Sequence, residues 1–295
     1  MSEEIEHVSD TAFWVAYFRW QEGQRQDALF HDPLAKVLAG ERGEKLARHM
    51  GIERAMTWSM SLRTWIIDGY IAEAMGRDID MVVNLGAGLD TRPYRLNLPG
   101  DLQWVEVDFD HMINYKAEKL ADEQPHCRLT RIACNLADDT ERARVLTDLN
   151  SRAKSILVLT EGVIPYLTNS AVAALAHDLA TLDHVDGWLT DYFSPLFNKV
   201  SARGKIKQRL ARNAPFVFDP GEDPRDWPAF FARQGWEIAD MRYLGEEGRK
   251  VGRDLPANWF IRLMMRWASE DRLRPYRRMN GYALLRKGDH VVEIG

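Results

Sequence analysis

Two glycines, three carboxylates and one tyrosine carry most of the chemistry legible in this sequence. The apolar run Met81-Val82-Val83-Asn84-Leu85 ends abruptly in Gly86-Ala87-Gly88, and Asp90 follows two positions later. A turn with so little side-chain bulk lets a ligand lie against the main chain, and the segment after it can offer N–H groups. About 20 residues further on, Trp104-Val105-Glu106-Val107-Asp108 closes on a carboxylate placed to accept hydrogen bonds from both hydroxyls of a ribose. Asp108 is preferred to Glu106 because it stands at the tip of the run. Two further apolar runs lead into Cys134-Asn135-Leu136, where a polar side chain can reach an adenine edge, and into Thr160-Glu161-Gly162-Val163-Ile164-Pro165-Tyr166, which sets a carboxylate and a phenol on one loop. The third glycine of a dinucleotide fingerprint would fall at Thr91, so the helix packing that a pyrophosphate needs is missing. A ribose-bearing ligand without a pyrophosphate fits better, and this combination points to S-adenosylmethionine.

Those residues must be held by strands and helices in alternation. Candidate strands are Met81 to Leu85, Gln103 to Val107, Leu129 to Ala133, Ser155 to Leu159 and Trp188 to Tyr192, with helical stretches between them. Such alternation implies an α/β fold with a parallel sheet and helices on both faces, and ligands then bind beyond the carboxyl ends of the strands. Glu237 to Leu244 and Gly281 to Arg286 read as strands completing the sheet as an antiparallel hairpin. Ahead of the sheet, Ser9 and Asp10 form a cap pair for an aromatic-rich helix over residues 9–22, a second helix covers Pro33 to Met50, and a third runs from Met56 to Met75. Residues 1–78 thus read as a helical cap and 79–295 as the ligand-binding domain. Arg63 lies beside the apolar face of the third helix; by residue type alone it is a solvated or salt-bridged arginine. Pro256 to Arg272, with Trp259, Phe260, Leu263, Met264 and Trp267, reads as an amphipathic helix.

The composition is that of an ordinary soluble domain: 295 residues, 45% apolar and 28% charged, with a net charge of −5. That balance argues against non-specific attraction to nucleic acid or anionic lipid. Cys127 and Cys134 supply no disulfide framework and no metal spacing. His177 and His184 are too far apart to share a metal ion, and no cluster completes a site. The acidic opening MSEEIEHVSD is not a signal peptide and no apolar run reaches membrane-span length, so the expected location is cytoplasmic.

The segments VSDTAFWVAYFRWQEG, DALFHDPLAKVLAG, VVNLGAGLDTRPYRL, WVEVDFDHMINYKAEKL and LTEGVIPYLT, in this order, resemble the leucine carboxyl methyltransferase superfamily, more closely its bacterial branch with the tetracenomycin-type polyketide O-methyltransferases. The resemblance is good over about the first 195 residues and loose beyond. It implies a class I methyltransferase fold, Rossmann-like, with a seven-stranded mostly parallel sheet and S-adenosylmethionine as methyl donor. It also implies that Arg63 pairs with the cofactor's carboxylate, with Arg19 as a second basic residue. Gly86, Gly88 and Asp90 form the glycine motif, Asp108 is the ribose acid, and Glu161 and Tyr166 stand near the sulfonium and the substrate mouth. Relatives place Asp-Leu where this chain has Asn135-Leu136; the asparagine carbonyl still accepts a hydrogen bond from the adenine amino group.

Residues 193–235 interrupt the alternation with a basic portion, Lys199 to Arg212, and a proline- and aspartate-rich loop; they read as a substrate-capping insertion. The acceptor is expected to be a small molecule. An ionised carboxylate needs no base, whereas a phenol of pKa about 10 benefits from one. No isolated histidine follows the motif loops to serve as one, which leans towards a carboxylate and a methyl ester, with Tyr166 and an arginine of the insertion orienting the acceptor. The alternatives are a phenolic or hydroxyl acceptor and, from other classes, a nicotinamide-dependent oxidoreductase or a catalytically silent cofactor-binding protein.

Overall fold

A computed structural model describes residues 8–50, 53–202, 214–256, 259, 263, 265 and 267–288. Seven strands form one sheet: β1 Met81–Leu85, β2 Gln103–Asp108, β3 Arg128–Ala133, β4 Ile156–Thr160, β5 Val185–Phe193, β6 Trp236–Tyr243 and β7 Asn280–Lys287. Their order is β3-β2-β1-β4-β5-β7-β6. The first five are parallel, and β7 runs antiparallel to both β5 and β6. This is the mostly parallel, hairpin-closed sheet expected of a class I methyltransferase. Strand order reverses between β1 and β4, so the crevice over their carboxyl ends is where a ligand belongs.

β1 and β4 are buried along their whole length, as a strand covered on both faces must be. On one face the apolar side chains of helices α6 (Asp139–Arg152), α7 (Asn169–Ala180) and α9 (Asp226–Ala232) pack against the strands, with Trp188 in edge contact with both Phe231 and Trp236. The other face receives α3 (Glu53–Met75) through Leu62, Ile66, Ile67, Tyr70 and Ile71. The aromatic helix α1 (Thr11–Gly23) is a core helix: Phe13, Trp14, Tyr17 and Phe18 are buried against α2 (Leu34–Met50) and α5 (Asp110–Lys119). Short α4 (Arg92–Arg95) follows the glycine turn. The remaining helices are α8 (Pro195–Ala202), α10 (Leu244–Lys250) and α11 (Glu270–Arg277).

Three sequence expectations change. Asp10 stands at the N-cap of α1 but makes no capping hydrogen bond, because its carboxylate pairs with Arg42 on α2 at 2.7 Å. The second helix is bent at Gly40, whose φ of 53° is left-handed. Trp259 and Trp267 are 77% and 86% exposed, so this stripe does not face the core. Phe260, Met264 and the basic stretch 203–213 lie outside the described residues.

Candidate functional site

The glycine turn is shaped by its own hydrogen bonds. The N–H groups of Gly86 and Ala87 both donate to the Val107 carbonyl at 2.7 and 3.2 Å, and that of Gly88 donates to Asp108 Oδ2 at 2.6 Å. These three amides are therefore taken by β2. Gly86 and Gly88 have φ of 69° and 48°, in the region that favours glycine. A Cβ on Gly86 would run into Cγ2 of Val163, and one on Gly88 would meet the Ala12 methyl at 3.2 Å.

Asp108 ends β2 beside this turn. Its second oxygen accepts from the Phe109 N–H at 2.7 Å, so each oxygen holds one backbone donor and keeps a lone pair. Burial, offset in part by these two bonds, raises its pKa above the ordinary aspartate value. Behind it, Glu106 is buried between Lys116 at 2.7 Å and Arg131 at 3.0 Å, a pairing that anchors β2. Asn135 and Leu136 come next along the sheet; Asn135 Oδ1 accepts from the Ala137 N–H at 3.1 Å and its side chain is exposed.

On the β4 side, Glu161 is gripped by two arginines, Arg63 Nε at 2.5 Å and Arg92 Nη1 at 2.6 Å. Burial alone would raise its pKa, but the two guanidiniums override it and hold the acid well below the usual range. Arg92 also binds Asp68 and Asp90, and Asp90 accepts from Asn84 Nδ2 at 2.8 Å. Asp90 thus braces the turn from below. Arg19 has a similar part: it pairs with Asp32 at 2.9 Å and donates to the Leu89 carbonyl at 2.5 Å. Asp32, just ahead of the second helix, is a buried hub that also accepts from Thr91 at 2.7 Å.

Arg19, Arg63, Gly86, Gly88, Asp90, Asp108, Asn135, Leu136 and Glu161 all line one cavity of about 1150 Å3 over the carboxyl ends of the strands. Pockets for one small molecule run to about 1,000 Å3, so this volume has room for two ligands. Its two ends differ. One, over the ends of β1 to β3, is walled by the glycine turn, Asp108 and Asn135, and the other, over the end of β5, by Phe193 packed with Phe197 and Phe216. Tyr166 stands between them, its ring edge-on to Phe216 at 5.2 Å and its phenol pushed up to about 12 by burial. It is a neutral donor at physiological pH.

Sequence reading missed Asp191. This residue, on β5, is buried in the cavity wall. Its Oδ1 accepts from Tyr282 Oη at 2.9 Å and its Oδ2 from the Gly162 N–H at 2.8 Å. Burial pushes its pKa up to about 6, against the lowering influence of Arg63 and of these two donors. Among the described residues no group of His, Cys, Asp and Glu is arranged to hold a metal ion.

The glycine turn with its left-handed backbone, the buried carboxylate of Asp108 beside it and the cavity they line are compatible with a nucleoside-bearing cofactor such as S-adenosylmethionine. Comparison with known proteins agrees. A family model described as leucine carboxyl methyltransferase matches residues 12–180. A Streptomyces avermitilis protein named "putative S-adenosyl-L-methionine-dependent methyltransferase" is 28% identical over 278 residues, covering 86% of this chain and 93% of that one. Among solved structures, a DUF574 family protein from Streptomyces avermitilis superposes with a TM-score of 0.57 at 15% identity, covering 94% of this chain and 97% of the other. A protein from Thermobifida fusca titled a "putative methyltransferase" gives a TM-score of 0.57 at 13% identity, covering 97% and 96%.

Proposed function

The chain belongs to the leucine carboxyl methyltransferase family and is an S-adenosylmethionine-dependent methyltransferase, and from that premise we propose that it methylates an oxygen of a small, apolar molecule. The observation that carries this reading is the division of one cavity into a polar end shaped by the glycine turn and an apolar, aromatic end. When bound, S-adenosylmethionine supplies an electrophilic methyl group. Asp108 would accept hydrogen bonds from its ribose, Asn135 and Leu136 would border its adenine, and Arg63 would hold its carboxylate. Gly86 and Gly88 leave the space against the main chain. Transfer to an oxygen is then a matter of alignment and of keeping water out, which the apolar walls provide.

Two acceptor oxygens suit this chemistry: a carboxylate, giving a methyl ester, and a hydroxyl, giving a methyl ether. The carboxylate reading rests on the lack of a histidine base, and no histidine or lysine lies among the described residues of the wall. What supports the hydroxyl reading is that both cations of the wall, Arg19 and Arg63, are already paired with protein carboxylates, while Asp191 forms no ion pair among the described residues. An ionised acceptor then finds no cation of the wall beyond the one assigned to the cofactor, whereas a hydroxyl has a candidate base.

The test is incubation of the full chain with S-adenosylmethionine and a panel of apolar aromatic acids and phenols. Release of S-adenosylhomocysteine matched by an O-methylated product is expected. Cofactor binding by calorimetry with no turnover on any compound would instead support a silent binding protein, and binding of NAD in its place an oxidoreductase.

A further inference from the structure

The cavity wall contains four carboxylates, Asp90, Asp108, Glu161 and Asp191, and their partners separate their roles. Asp90 and Glu161 are held by arginines. Asp108 stands at the glycine end, bound to the backbone on either side of it. Asp191 alone adjoins the aromatic end: Phe193, two residues later on the same strand, shares its face and packs against Phe197 and Phe216 at 4.7 and 5.8 Å.

We propose that Asp191 is the catalytic base of the methyl transfer, taking the proton of a neutral, phenol-like hydroxyl on a flat apolar acceptor. This rests on the O-methyltransferase reading. Each oxygen of Asp191 accepts one neutral donor, Tyr282 Oη or the Gly162 N–H, which fixes the plane of the carboxylate and leaves lone pairs for a third partner. Tyr282 faces Asp191 directly across the β5–β7 ladder, so the orientation is built into the sheet register. In the step itself, a lone pair of the acceptor oxygen forms the bond to the methyl carbon, the carbon–sulfur pair returns to sulfur as a neutral thioether, and the hydroxyl proton passes to Asp191. The contrast with Glu161 is the physical basis. A carboxylate clamped by two guanidiniums is too weak a base, whereas burial among neutral donors brings Asp191 close to the pH at which it must work. The charged and titratable groups that act on it are Arg63 from α3, Glu161 and Tyr166 from the loop after β4, and Tyr282 from β7.

The experiment compares wild type, Asp191→Asn and Tyr282→Phe on 2-naphthol and on 2-naphthoic acid. S-adenosylmethionine affinity is measured in parallel by calorimetry, and the aspartate carboxyls are titrated by carbon-13 NMR. Expected are methylation of the naphthol, a fall in kcat of about 10²–10⁴-fold for Asp191→Asn with cofactor affinity unchanged, and one carboxyl titrating near 6 that is missing from that variant. Tyr282→Phe removes a bond that favours the ionised form, so the acid limb of kcat moves to higher pH. Asp191→Asn retaining kcat within about threefold, or methylation of the acid alone, overturns the proposal while leaving cofactor binding and the wider reading intact. Failure of wild type to bind the cofactor overturns the wider reading first.

Discussion

Arg63 on α3 and Glu161 just after β4 are hydrogen-bonded at 2.5 Å, joining that helix to the central crevice through a pair that lines the cavity. Glu161 also neutralises the deeply buried Arg92. Glu161→Ala leaves two buried guanidiniums short of a counter-charge, and a loss of about 3–5 kcal/mol in urea unfolding is expected. Arg63→Ala should instead weaken S-adenosylmethionine by about 10–100-fold, the scale of one charged hydrogen bond, as read by calorimetry. Unchanged affinity would remove Arg63 from the cofactor site.

The glycine wall makes a sharper steric prediction. Gly86→Ala must place a methyl against Val163 and hold a left-handed φ, so it should abolish cofactor binding and cost about 1–3 kcal/mol of stability. Adding Val163→Ala relieves the contact but not the backbone strain, so recovery should be partial. A Gly86→Ala chain that binds S-adenosylmethionine normally would show that the ligand lies elsewhere.

Asp191 predicts a pH dependence of stability. Its folded pKa of about 6 lies above the ordinary 3.8, so the folded state binds the proton more tightly. The corresponding stability is fully present below pH 3.8 and is lost as pH rises through about 6. At about 1.4 kcal/mol per unit, this amounts to about 3 kcal/mol. The stability difference between Asp191→Asn and wild type should therefore move in the variant's favour by that amount between pH 4 and 7.5, in paired urea titrations. No movement would mean that Asp191 titrates normally.

Phe216 separates acceptor from cofactor effects. It packs edge-on to Tyr166 and against Phe193 at the end of β5. Phe216→Ala should raise the KM for an aromatic acceptor while leaving S-adenosylmethionine affinity unchanged. Equal losses on both would place the two ligands in one chamber.

Much of the site was legible because strand ends advertise themselves locally. The Leu85 to Gly88 break, Asp108 at the tip of its run and Glu161 after the fourth strand each stand where a short apolar stretch stops, and the parallel sheet gathers such ends along one edge. Asp191 carried no such mark. It sits inside β5, and its importance depends on Tyr282, which meets it only through the antiparallel β7. The roles of Arg92 and Asp32 were hidden for a related reason: each finds partners in two segments distant in sequence, Asp68 and Glu161 for Arg92, Arg19 and Thr91 for Asp32. The exposed Trp259 and Trp267 show the opposite limit, since spacing identifies a stripe but not the direction it faces.

The most direct test of the account is the structure of the complex with S-adenosylhomocysteine. The ribose diol should lie on Asp108, the amino-acid carboxylate on Arg63, and the sulfur should face the aromatic end beside Asp191. A ligand whose ribose lies away from Asp108, or whose sulfur faces away from Phe193 and Phe216, would contradict it.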